Sequence, residues 1–505
     1  MDFLDPKKER SSRIRLLLGY CLVTLAIGIA TLVLLYQAYG YSIDRQGNVT
    51  QSGLLFVSSQ PSGAAIYLNG QRYKSNTDSR VTIPADTYTL EISETGYRTW
   101  RRQVVVNGGD VQHFDYPFLF PQKLQTSGLA DLSADPSVAM QSPDKRWLLL
   151  GQSDSSGSFT QYDLKSPDKP VAANFSLPAG SFTPGDSNGA QSWSLVEWSS
   201  DNRHVLLLHT YTVNGVTNRE YILLDRDTPV DSTNLTATLH LTQAEALSLF
   251  NSRVDQFYVL NSDEHSLRRI NASDGSEVSR LEHVLAYKAY ADSKILYVTD
   301  QPPAGKAVTN SVTAVLQDGQ KAITLRTLPA GASSYALNLA QYAGDWYVAV
   351  GADNDTAVYV YKNPQSQPAS DVDTYPAPWR RLPVENPTFL SFSGNTQFLL
   401  AESGQNFVVY DLENVVQYHY RATEPIDAPQ THATWMDGNR LEYVSGGKLV
   451  VFDYDYRNRQ GLVPANAAYL PFFASNYSYL YTLRAGSADG TIKPALTSTP
   501  LTVKK

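Results

Sequence analysis

The chain predicts an all-β protein carried on one N-terminal transmembrane helix: a small β-sandwich, then a seven- or eight-bladed β-propeller. Three observations carry this. An uncharged apolar run fills residues 16–36, short stretches alternating apolar and polar residues fill 53–120, and one turn-plus-strand unit recurs from about residue 130 to the end. At roughly 100–200 residues per domain, 505 residues leave room for two to four domains. Charged residues are sparse, at 18%, and 41 basic against 49 acidic side chains leave a net charge of -8. That balance provides no basic field to displace counterions from a phosphate backbone, so no nucleic acid partner is expected.

The run from Leu16 to Tyr36 holds no charge, and its only interruptions are Gly19, Thr24, Gly28 and Thr31. As a helix at about 1.5 Å per residue it matches the hydrocarbon thickness of a bilayer. Lys7, Lys8, Arg10, Arg13 and Arg15 precede it, whereas the twenty residues after it carry only Arg45, which predicts a cytoplasmic stub at 1–15 and an extracytoplasmic remainder. Tyr36, Tyr39 and Tyr41 suit the outer interface. A cleaved signal peptide is the rival reading, but the run is long for one and Gln37-Ala38-Tyr39-Gly40 is a poor cleavage site. Cys21, the single cysteine, lies inside the run; a bulky Tyr20 just before it argues against lipidation, and no disulfide framework exists.

After a linker at 37–52, the runs LLFVSS, AAIYLNG, RVTIP, TYTLEIS, YRTWRRQVVV and VQHFDYPF alternate with period two, which predicts antiparallel strands. Asn69-Gly70 between IYL and QRY predicts a type I′ hairpin, whose central residues both need positive φ. Gly53, Ser59, Pro61-Ser62-Gly63-Ala64, Ile66-Tyr67-Leu68-Asn69-Gly70, Tyr88-Thr89-Leu90-Glu91-Ile92 and Gly96-Tyr97 together resemble the PEGA domain, a small β module of bacterial and archaeal surface proteins. The resemblance covers residues 53–120. It departs from the family where a Thr-Pro usually follows the hairpin and a Pro-Gly precedes the tyrosine strand. It implies a presentation or spacer module without catalytic residues.

In the remainder, expected to be one propeller over 130–505, eight units combine an Asp-, Asn-, Gly- or Ser-rich turn with an apolar strand, as in SPDKRWLLLG, SSDNRHVLLL and FSGNTQFLL. Their strands begin at 147, 205, 257, 295, 346, 398, 441 and 479, spacings of 38 to 58 residues that suit propeller blades. Second strands ending in polar turns follow, such as FTQYDLKSP, EYILLDRDTP and FVVYDLEN. The pattern is similar to WD-type and TolB-like propellers, with Asp-Leu or Asp-Tyr in place of the Trp-Asp signature. Thr242 to Asn251 (TQAEALSLFN) reads as the one helix of the region, with Gln243 and Glu245 in its first turn.

Chemistry finds little support. Gly185-Asp186-Ser187-Asn188-Gly189 matches the spacing of a nucleophile elbow, but the strand before and helix after that it requires are missing. His204 and His209 are five apart and fall on opposite faces of a strand, so they should not share zinc. Asp353-Asn354-Asp355 and Asp453-Tyr454-Asp455 lack the rest of a calcium loop. Asp225, Asp227, Asp411 and Glu413 sit at equivalent strand ends and read as turn residues. No catalytic, cofactor-binding or metal-binding residues are therefore assigned, and no cofactor is expected.

The expected function is a non-enzymatic, membrane-anchored binding or scaffold protein presented outside the cytoplasmic membrane; the alternative is an extracellular propeller enzyme acting on glycans or peptides. Its expected partners are the bilayer, through the helix, and a protein or cell-wall glycan, through the propeller. The loops Pro178 to Ser192 and Pro364 to Pro387 are the expected binding elements, with Tyr375, Tyr469, Tyr477 and Tyr479 as candidate contacts. Low charge predicts recognition that weakens little with salt.

Overall fold

The computed structural model describes residues 6–38, 41–43, 49–152, 156–186, 190–301, 312–366, 375–487 and 491–503. Tyr39, Arg45 and Ser187 lie outside them. The chain forms two compact units: residues 1–123 with 502–505, and residues 124–501.

The first unit opens with a helix, Pro6–Ala38, whose segment Arg15–Tyr36 is long and apolar enough to cross a membrane. Every residue from 15 to 35 is exposed. The two threonines need no partner from outside the helix, since Thr24 and Thr31 donate to the carbonyls of Tyr20 and Ile27 at 2.8 Å. At the helix end Tyr36 stacks on Tyr41 at 4.9 Å.

Two four-stranded sheets follow. One joins Tyr41–Ile43, Val49–Val57, Ser79–Pro84 and Val111–Phe114; the other orders Gln71–Asn76, Ala65–Leu68, Asp86–Ser93 and Trp100–Val106. Period-two alternation sends Leu55, Val57, Val81, Ile83, Ile66 and Ile92 into one core with Trp100. Asn69 and Gly70 take φ of 50° and 79°, the pair of values a type I′ turn requires, with Leu68 opposite Gln71. One strand corrects the expectation: Val111–Phe114 runs parallel to Leu54 through Val57. The strand before it, Trp100–Val106, belongs to the opposite sheet, so the chain changes sheets before pairing.

The second unit contains, among the described residues, eight four-stranded antiparallel sheets. Sheets I to VII span 139–176, 191–234, 245–281, 284–327, 335–382, 389–421 and 434–464. Sheet VIII takes three strands from 472–500 and its fourth, Ser127–Asp131, from the other end of the unit. The eight turn-plus-strand units are the second strands of these sheets, and the strands with polar ends are their third strands.

Buried side chains lock each sheet to the next. Phe159, Trp193 and Leu207 join I to II; Tyr221, Leu247 and Phe257 join II to III; Tyr347, Leu399 and Tyr410 join V to VI. Leu148, Tyr162, Phe472 and Tyr481 join VIII back to I, which closes the circle and defines a propeller.

A repeated polar pair fixes the strand ends. Arg146 meets Asp163, Arg203 meets Asp225 and Lys294 meets Asp318, each joining the start of a second strand to the end of a third. Asp411, at the equivalent strand end, accepts Gln397 Nε2 at 3.4 Å and the amides of Glu413 and Asn414 at 3.0 and 3.1 Å.

The helix expected at Thr242 to Asn251 is instead a strand, Glu245–Phe250, which buries Glu245, Leu247 and Leu249 in alternation and pairs with Arg253–Asn261. Glu245 does accept the Thr242 amide at 2.7 Å, a contact typical of a helix start, but sheet pairing overrides the helical propensity that follows. The short helix of this region is Leu235–Thr238.

Candidate functional site

First strands of sheets II and III, IV and V, and V and VI approach one another, which places these strands at the centre of the propeller. Side chains bridge them. Gln141 Nε2 donates to the Phe473 carbonyl at 2.8 Å, Asn338 Nδ2 to that of Leu390 at 3.0 Å, and Trp435 Nε1 to Ser391 Oγ at 3.0 Å.

The turns after these strands form a linked series. The Asp144 amide donates to Asn202 Oδ1 at 3.0 Å, the Ser200 amide to the Ser252 carbonyl at 2.7 Å, and Asn251 Nδ2 to Asp292 Oδ1 at 3.0 Å. Lys145 continues it by donating to the Met436 carbonyl at 3.2 Å while lying over the Tyr477 ring.

Between the first strands of sheets II, III and IV lies a cavity of about 650 Å³, within the range of ~300–1,000 Å³ usual for ligand sites. Its walls are polar and aromatic. Glu197 accepts Ser252 Oγ at 2.6 Å and the Leu249 amide at 3.3 Å. Ser248 and Tyr287 share a hydroxyl hydrogen bond at 2.6 Å, and Tyr258 packs against Tyr287 with ring centroids 5.5 Å apart. Burial pushes the Tyr258 phenol up to about 12, with Asp292 adding to the rise and Arg269 opposing it. Burial also raises Tyr287. Both therefore keep their protons at neutral pH and can donate as well as accept. Tyr290 stands exposed on the rim, edge-on to Trp346 at 5.3 Å, and Lys288 is exposed beside it.

The elements that sequence reasoning favoured lie elsewhere. The segment from Pro178 is built into the interface of sheets I and II: Phe182 packs edge-on to Trp193 at 5.4 Å, and Thr183 donates its amide and hydroxyl to Glu220 at 2.6 and 2.9 Å. Strand Gln191–Trp198, not a helix, follows Gly185-Asp186. In the Pro364 to Pro387 segment, residues 367–374 lie outside the described residues, and Arg380–Leu382 is the outer strand of sheet V. Tyr469 and Tyr477 donate to the carbonyls of Pro136 and Met436 at 2.5 and 3.1 Å, Tyr375 bonds Thr327 at 3.0 Å, and Tyr479 stacks on Tyr481. These are structural contacts.

The two histidines separate as expected. His204 contacts Asp201 at 2.6 Å, whereas His209 is fully buried, 3.0 Å from Glu220 and stacked on Trp193 at 4.2 Å. Asp353 accepts the amides of Ser333 and Ser334, Asp355 pairs with Arg326 at 2.7 Å, and Asp453 accepts Asn458 Nδ2 at 2.8 Å. Among the described residues no group of three or more His, Cys, Asp or Glu could hold a metal ion.

Two further carboxyls lie inside the propeller wall. Glu402 is fully buried, accepts the Ala433 amide at 3.0 Å, and is pushed up to about 9 by burial, partly offset by that bond. Glu442 is 4% exposed and is also raised by burial, against the pull of Lys145.

Most of the cavity residues escaped sequence reasoning because they occupy first strands or the turns after them. Tyr287 and Lys288 directly precede the turn-plus-strand unit YADSKILYV, which Tyr290 opens; alternation of large polar residues before a recurring turn was the available signal.

The architecture is that of a β-propeller protein with a separate small sandwich and an N-terminal apolar helix. The PEGA domain family model matches residues 52–119. No curated protein matches the chain. Among solved structures, Kluyveromyces marxianus Hsv2 is 12% identical with a TM-score of 0.38, over 64% of this chain and 93% of that one. Dihydro-heme d1 dehydrogenase NirN is 16% identical with a TM-score of 0.39, over 66% and 67%. An oligogalacturonate lyase in complex with manganese is 12% identical with a TM-score of 0.37, over 75% and 98%.

Proposed function

We propose that this chain is a non-enzymatic binding or scaffold protein, held by its N-terminal helix in the cytoplasmic membrane, with the sandwich and propeller outside. The cavity supports it most directly. Glycoside cleavage by paired carboxylates needs two such groups roughly 5–9.5 Å apart. Among the described residues Glu197 is the one carboxylate lining the cavity, and Ser252 and Leu249 already engage its oxygens. What remains is recognition chemistry: hydroxyls, an amide, an ammonium and aromatic faces.

The bilayer is the partner of the helix, and a cell-wall glycan or surface protein is the partner of the propeller. The basic residues before the helix support an inward N-terminus, and a PEGA module just after it suits a spacer near the membrane. Protease added to spheroplasts should cleave the propeller and spare an epitope placed before residue 16. Protection of the propeller, or recovery of the intact chain in the soluble fraction, would overturn this orientation.

A further inference from the structure

We propose that the central cavity between sheets II, III and IV binds a neutral saccharide, bridging Glu197 and Lys288 with its hydroxyls and stacking a ring face on Tyr290. The inference rests on reading the propeller as a binding domain and adds the class of ligand.

The first support is complementarity of hydrogen bonding. Each sugar hydroxyl donates one proton and accepts others, so a site with an acceptor-only group and a donor-only group satisfies neighbouring hydroxyls together. Glu197 is the acceptor-only group, and Ser252 and Leu249 hold it in place while using one bond on each oxygen. Lys288 is the donor-only group, and among the described residues it has no ion-pair or hydrogen-bond partner.

The second support is the balance of charge. One carboxylate and one ammonium line the cavity, which favours neither an anion nor a cation. The third is the tyrosines. Tyr258 and Tyr287 stay protonated, and Tyr258, 3% exposed as a residue, has no hydrogen-bond partner for its hydroxyl among the described residues. Tyr290, 38% exposed, offers a face at the rim at little entropic cost.

The test uses the full-length protein in lipid nanodiscs, titrated by calorimetry with trimers of glucose and of N-acetylglucosamine. Trimeric glucuronate and trialanine are the competing classes. At least one neutral trimer should bind with Kd near or below about 1 mM, and Tyr290→Ala and Lys288→Met should each weaken it about tenfold. Both side chains are exposed, so these variants should melt with the parent. Binding should be equal at low and high salt.

Tighter binding of glucuronate or trialanine, or neutral binding unaffected by both substitutions, would overturn the assignment. So would no binding of either neutral trimer. If the sugars fail while the nanodisc protein still captures surface extract in a Tyr290-dependent way, the binding role survives and only the ligand class falls. Loss of both removes the binding role as well.

Discussion

The amide of Val503 donates to the Tyr97 hydroxyl at 2.7 Å, which makes the tail after the propeller part of the sandwich unit. Val503 also lies against Gly96, whose φ of 85° disfavours a side chain and where a Cβ would come within 3.3 Å of Val503 Cγ1. The propeller polypeptide is thus connected to one body at both its start and its finish.

Removing that hydroxyl should free the tail. Tyr97→Phe is expected to cost about 1 kcal/mol, and to speed protease release of a tag fused after Lys505. A release rate equal to the parent's would show that the contact does not hold the tail.

Glu220 joins Thr183, His209 and Asn234 in one buried network. Burial works to raise its pKa, but the bonds from His209, Thr183 and Asn234 outweigh it and leave the carboxyl below its usual value. A depressed carboxyl contributes stability above the unfolded-state pKa and loses it as pH falls through the folded value. Glu220→Gln should therefore destabilise by roughly 2 kcal/mol at pH 7, less in acid. It should also expose the Phe182 segment to proteolysis, and an unchanged digestion pattern would contradict the anchored-loop assignment.

Glu402 has the opposite sign. Its folded pKa of about 9 lies above the ordinary 4.5, so the folded state holds a proton that the unfolded state has lost across that interval. Stability contributed by this group falls as pH rises from 4.5 to 9. Glu402→Gln should stabilise the propeller by up to roughly 3 kcal/mol at pH 7, with the gain vanishing near pH 4. Melting curves across pH check this, and a gain independent of pH would refute it.

The proposed anchoring predicts that membrane retention depends on the apolar helix. Leu25→Arg with Ile29→Arg, each costing about 2.5–3.5 kcal/mol at a bilayer centre, should release the protein to carbonate extraction while both β units stay folded. Retention of the double variant in the pellet would point to an anchor other than the helix.

Much of this architecture was legible in the sequence because it rests on local signals. Asn69-Gly70 dictates its turn by φ alone, and each Asp-rich turn before an apolar strand reports a second strand flanked by sheet on both sides. Gln71–Asn76 was legible through its turn and not its composition, because an edge strand of QRYKSN shows water nearly as much polarity as a loop. In Glu245–Phe250 the residues are helix formers, and only pairing with the next strand decides the outcome. The cavity was least legible: Glu197, Ser248 and Tyr287 come from three sheets and meet only when those consecutive sheets pack together. Loop length, which pointed to Pro178 to Ser192, reported packing around Phe182 instead.

The strand Ser127–Asp131 finds its partner in Ala495–Pro500, with Ser127 opposite Ser498, 371 positions further along the chain. Synthesis therefore delivers one strand of the last sheet before the rest of the propeller and the other three after it. Until the final segment arrives, the nascent domain is an open arc with two bare strand edges, each able to pair with a neighbouring copy. Closure over so great a separation is slow, since the entropy of joining the ends must be met before any pairing rewards it. A chain cut short within the last sheet would stay open at both edges, so quality control needs to sense only one seam to tell finished molecules from fragments.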